Sequence, residues 1–290
     1  MSQTNSTKCQ NLSELIVSLA VANSDFELAF SSGSVVKTCI AKEKICKTKE
    51  LVCDWLFENG SKDFQIREVQ RLMGENLLGP AEFARTSLKA ETNNFVLPPM
   101  NYSRQELVEA KRRNDYLALG IHRVSNVYLS LAKLEMYLKD YDIGFIGGTG
   151  DRLRYHPFAE DWVKARWTIV SGKPLQGNSF FMQLLDAREH FGEKVEGDVS
   201  RFMTAEKFEE SIKNYLPRAV DLVYFLILIA HSGADMDDFI NKTYLTSDRE
   251  RDQWVCVHLD HQKTFRIFFK TFDEFSRLGD RGILPAKNQE

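Results

Sequence analysis

Nine consecutive residues, Leu222 to Ala230 (LVYFLILIA), carry no charge, with Asp221 just before them and Gly233 just after. Val220, Val223, Tyr224, Ile227 and Leu228 recur at helical spacing, and Leu222, Phe225, Leu226 and Ile229 fill nearly every other side. A helix apolar almost all round must be enclosed by neighbours and cannot lie on a surface. The segment is far short of the roughly 20 residues that cross a bilayer. It is therefore expected at the centre of the C-terminal part of the fold. Pro217 can open this helix, because its missing N–H costs nothing in a first turn.

The rest of the chain can supply that enclosure. At 290 residues, with 43% hydrophobic and 27% charged side chains, it has the composition of a globular protein of one large or two ordinary domains. The net charge of −3 provides no global attraction for nucleic acid or anionic membrane, so a basic binding surface would have to be local. Five cysteines without a CxxC pair argue against a disulfide framework or a zinc ribbon. Cys39, Cys46 and Cys53, seven apart, would share one helix face and are expected as buried small hydrophobes. No basic n-region followed by an apolar core opens the chain. A reducing, cytoplasmic setting without a membrane partner is the expectation.

Periodicity predicts a mainly α, bundle-like protein with a few short strands. Helices are expected over 11–22, over Lys47 to Asn59 with Gly60 as the stop, and over Phe64 to Met73. FELAF and SVVKTCI, flanking Ser-Ser-Gly-Ser, read as a small hairpin. Residues 1–92 form an N-terminal helical region and 103–290 a C-terminal helical domain. The linker NNFVLPPMNY (93–102) lies between them, and Ser103 with Glu106 caps the next helix. From there to Lys139 the pattern reads as helical, broken near Gly120. Further helices are expected over Phe180 to Phe191, from Thr204, and through Phe265 to Phe272, with WVCVHL as a strand.

Three segments carry residue types with chemistry. DIGFIGGTG resembles a strand feeding a glycine-rich phosphate turn, but Leu153 stands where a third close-packing glycine would fall. CVHLDH offers metal-competent Cys256, His258 and Asp260 on one strand face, or simply a polar face. Lys111, Arg112, Arg113 and Arg123, then Arg152, Arg154, Lys164 and Arg166, are interleaved with Tyr155, Phe158, Trp162 and Trp167. Cations beside aromatic rings are the composition of a single-strand or RNA-binding groove. Lys111, Arg112, Arg113 and Arg166 are its candidate contacts.

From FFMQLLDAREHFGE through LPRAVDLVYFLILIAHSGADMDDFINKTYLTSDRERDQ, about a quarter of the chain, the order resembles the all-α NTP pyrophosphatases of the MazG and dimeric dUTPase group. That resemblance implies carboxylates from an ExxE and an ExxD pair around Mg²⁺, whose bound water attacks a phosphate. Carried onto this sequence, it makes Asp221 and Asp186 the metal ligands. Lys242 and Arg251, with Asp248 between them, fall near the substrate phosphates. Arg218 stands in place of the first ExxD carboxylate, and Gln183 and Asp186 replace the two glutamates.

Three functions are thus open: a divergent nucleotide pyrophosphohydrolase, active or not, that uses Mg²⁺; a helical binder of single-stranded nucleic acid, such as a nucleoprotein; and a scaffold without chemistry. Nucleotide or single-stranded nucleic acid is the expected partner, and self-association is left open.

Overall fold

The computed structural model describes residues 12–86, 97–121, 123–124, 127–138, 140–146, 153–175, 180–192, 205–278 and 281–287. The backbone divides into two compact units, Met1–Leu72 with Tyr102–Leu107, and Met73–Asn101 with Val108–Glu290.

The first unit is helical. α1 (Leu12–Ser31) and α2 (Val35–Asn59) form an antiparallel pair, followed by α3 (Lys62–Met73). Along α1 the residues turned inward are Leu12, Leu15, Leu19, Ala22, Phe26 and Ala29, alternating three and four apart. Thr38, Ala41, Ile45, Thr48, Val52 and Trp55 repeat that spacing on α2. This is the heptad pattern of two helices in a coiled-coil seam. It overrides the hairpin expected at Ser-Ser-Gly-Ser. Gly33 takes φ 67° after α1, and the Ser34 hydroxyl accepts the Lys37 N–H at the start of α2. The same four residues end one helix and cap the next. The thiols of Cys39 and Cys46 are exposed and that of Cys53 half-buried, so the stripe spaced by seven lies beside the seam and not in it.

The second unit corrects the mainly α expectation. It contains a four-stranded mixed sheet in the order β1 (Leu77–Leu78), β2 (Tyr116–Leu119), β6 (Trp167–Val170), β11 (Ala286–Lys287). A five-stranded mixed sheet follows the order β10 (Arg281–Gly282), β7 (Lys242–Glu250), β8 (Gln253–Leu259), β9 (Thr264–Lys270), β5 (Asp142–Phe145). A two-stranded antiparallel ladder pairs β3 (Arg123–Val124) with β4 (Val127–Tyr128). The protein is α+β. The segments that conceal this are buried on both faces: YLAL and WTIV are buried at every position, as are Thr243 to Thr246 of β7. Such runs lack the period-2 alternation that marks a strand. The expected helix over Phe265 to Phe272 is strand β9, which pairs antiparallel with β8 and parallel with β5. The all-α architecture implied by the pyrophosphatase resemblance is overturned at the same place, because the chain after Gly233 enters a sheet.

The apolar run sits where expected. α10 (Ala219–Ser232) buries every residue from Ala219 to Ile229, packing on α4 (Pro80–Phe83), α6 (Leu131–Tyr137), β1, β7 and β8. Tyr224 reaches across to donate its hydroxyl to the Leu119 carbonyl at the end of β2, 2.9 Å away. Gly233, at φ 86°, ends the helix in a left-handed turn.

Candidate functional site

The start of α10 gathers the charged groups that the sequence singles out. Asp221 is buried, and both of its oxygens accept from Arg218, Nε to Oδ2 at 2.9 Å and Nη2 to Oδ1 at 3.1 Å. Arg166 adds a longer ion pair at 3.7 Å. Arg218 thus forms a planar fork on Asp221. Arg218 Nη2 also donates to the Trp162 carbonyl at 2.9 Å, tying the loop before β6 to the helix.

Asp248, on β7, accepts the Ala219 N–H at 2.7 Å and so caps α10 from another element. Burial pushes its carboxyl up to about 7, against the pull of the Ala219 N–H and Arg218, with Asp221 and Asp161 adding to the rise. A carboxyl raised in the folded state and ordinary in the unfolded one holds its proton longer when folded. Stability therefore falls as pH rises from about 4 to about 7 and is level above that. Asp248→Asn keeps the acceptor and removes the charge. It should raise stability by up to about 4 kcal/mol near pH 8 and by almost nothing near pH 4. Thermal unfolding at the two pH values checks this, and equal shifts at both would show an ordinary carboxyl.

The other named positions lie apart from this cluster in their bonding. Asp186 is exposed on α8 (Phe180–His190). Lys242, at the start of β7, donates to the Asp238 carbonyl. Arg251 occupies the β7–β8 turn at φ 57° and is exposed. Among the described residues no group of three or more His, Cys, Asp or Glu side chains could hold a metal ion. In CVHLDH, Cys256 is buried, which pushes its thiol up to about 12. His258 Nδ1 lies 3.1 Å from the Thr243 hydroxyl, and Asp260 accepts the Gln262 and Thr264 N–H groups of the β8–β9 turn. Gly147, Gly148 and Gly150 lie outside the described residues, as does Arg152.

The basic candidates divide by what they bind. Lys111, at the end of α5 (Arg104–Arg112), donates to the Met73 carbonyl at 3.0 Å and to Asn76 Oδ1 at 2.8 Å. Arg113 donates to the fully buried Asp115 at 2.8 Å. His190 Nε2 lies 2.7 Å from the same carboxylate, which also accepts the Gly172 N–H at 3.3 Å. A Cβ on Gly172 would stand 2.0 Å from the Asn114 carbonyl oxygen, so only glycine lets this loop reach Asp115. Lys111 and Arg113 therefore knit the second unit together, and Arg112 is exposed.

Phe158 and Trp167 are buried, whereas Tyr155 and Trp162 are exposed. Beside Trp162 lies a ring that sequence reading did not pair with it. Tyr128, from β4, packs against Trp162 with centroids 5.2 Å apart and ring planes inclined at 41°, and each is 49% exposed. Ser130 and Trp162 form an antiparallel bridge, and the Val163 N–H bonds to the Leu129 carbonyl at 2.9 Å, which holds the two rings in register. Arg123, the cross-strand partner of Tyr128, places its guanidinium 5.6 Å from that ring's centroid. The two aromatic residues are 34 positions apart in the chain, and only the bridge brings them together. No protein-family model, curated protein or solved structure matches this chain, so the site rests on its own geometry.

Proposed function

We propose that the second unit binds single-stranded nucleic acid on the Tyr128–Trp162 platform. The observation that carries this reading is a solvent-exposed aromatic pair with a guanidinium beside it. An exposed π-face accepts any base, and base–aromatic stacking contributes about 1–3 kcal/mol per base. Arg123 stands where a backbone phosphate flanking a stacked base can be met, and exposed Lys164 follows Trp162 by two residues. Asp221 enters as a support: it orients Arg218, which fixes the backbone of Trp162. Glu160 and Asp161, which precede Trp162 in the chain, are exposed.

Anisotropy titration with fluorescein-labelled single-stranded RNA and DNA tests the proposal. Binding should weaken steeply as salt rises, because released counterions drive it. Trp162→Ala and Tyr128→Ala should each lower affinity about 5- to 150-fold, the range of one lost stacking contact. Affinity unchanged in both variants, or binding indifferent to salt, would rule the platform out.

A further inference from the structure

Nine of the fifteen large apolar side chains exposed among the described residues fall between Ile16 and Leu51, in the α1–α2 pair. Six of them form second stripes outside the seam: Val17, Val21 and Leu28 on α1, and Val36, Ile40 and Leu51 on α2. Leu28 and Ile40, 69% and 63% exposed, line a groove of about 430 Å³ along one side of the pair, over Ala29 and Ala41. We infer that this face is a self-association surface, on which a second copy of the chain packs its own α1–α2 pair to complete a four-helix bundle.

Area, shape and charge favour a second copy. The six side chains leave on the order of 600 Å² uncovered, the upper end for the largest patch on a monomer. With the stems of Lys37 and Lys44 at the groove they approach the roughly 800 Å² per partner of a standard interface. Small Ala29 and Ala41 on the groove floor let a facing helix approach closely. α1 carries Glu14, Asp25 and Glu27 and no basic residue, while α2 up to Lys49 carries five lysines against Glu43. The Asp25–Lys44 ion pair, 2.7 Å, sets the acidic end of α1 level with the basic start of α2. Glu27 and Lys37 form no ion pair among the described residues. A two-fold axis parallel to the helices lays α1 over the partner's α2. Leu28 then meets Ile40 of the partner subunit, and the acidic end meets the lysines. The face is complementary to itself, as a two-fold interface requires.

Sedimentation velocity of the full chain across a concentration series tests this. A dimer should form, and the double variant Leu28→Glu, Ile40→Glu should remain monomeric with unchanged far-ultraviolet circular dichroism, since both positions are exposed within one chain. A second measurement guards against misfolding of that variant. The thiol of Leu28→Cys should be alkylated at least tenfold more slowly than Cys46 in concentrated protein and lose that protection on dilution. A wild-type chain that stays monomeric, or a double variant that dimerises as well as wild type, would overturn the inference. So would protection of the new thiol that persists in the monomer, which would point to cover from within the chain.

Discussion

Phe225→Ala is expected to cost about 3–5 kcal/mol, the range for emptying a buried aromatic site. Phe225 is 2% exposed in the middle of α10, in a core cluster shared by strands of both sheets. Its neighbour Tyr224 is held on one side by the Phe83 ring, centroids 5.7 Å apart, and at its tip by the Leu119 carbonyl. Residues tied in this way cannot collapse into the space left behind, so the cavity persists and its cost adds to the lost transfer energy. Urea titration followed by circular dichroism measures it. A loss below about 1 kcal/mol, well under the expected range, would mean that the face is not enclosed.

The second large effect is expected in the helical unit. Arg104 is buried and donates Nε to Glu68 at 2.8 Å and Nη1 to Asp54 at 3.1 Å, with Glu50 as a third partner. Glu68 is itself buried and also takes a two-pronged contact from Arg71, Nε at 2.7 Å and Nη2 at 2.6 Å. The Arg71 hydrogen bonds, followed by those of Arg104, outweigh burial and hold the Glu68 carboxyl at about 2. Arg104→Ala leaves Glu68 with one cation in place of two. The cost should lie at the lower end of that for a broken buried pair, about 3 kcal/mol. The pH dependence gives a second signature. A carboxyl depressed when folded contributes stability that is full above its ordinary range and is lost as pH falls from about 4.5 toward 2. Arg104→Ala should flatten that acid limb. An unaltered limb, with a loss under about 1 kcal/mol, would show that Glu68 is hydrated and the cluster superficial.

The fold's centre was written in the sequence, because a helix apolar on every side has only one place to go. The helices expected over Phe64 to Met73 and Phe180 to Phe191, observed as Lys62–Met73 and Phe180–His190, were legible for the same reason of period, and the Ser103–Glu106 cap from its spacing. The sheets were not. YLAL, WTIV and Thr243 to Thr246 are covered on both faces, so burial removed the alternation that would have marked them as strands. The join between α1 and α2 misled in the opposite sense, since Gly and Ser serve a helix end, a helix cap and a β-turn equally well. Of the site, the sequence identified Trp162, Tyr155 and a supply of arginines by composition alone. It could not say which cations face solvent, because Lys111, Arg113 and Arg218 are claimed by carbonyls and carboxylates that are distant in the chain or fixed only by local geometry. Residue type set what each side chain could do. Long-range backbone pairing, Ser130 with Trp162 above all, decided which of them meet.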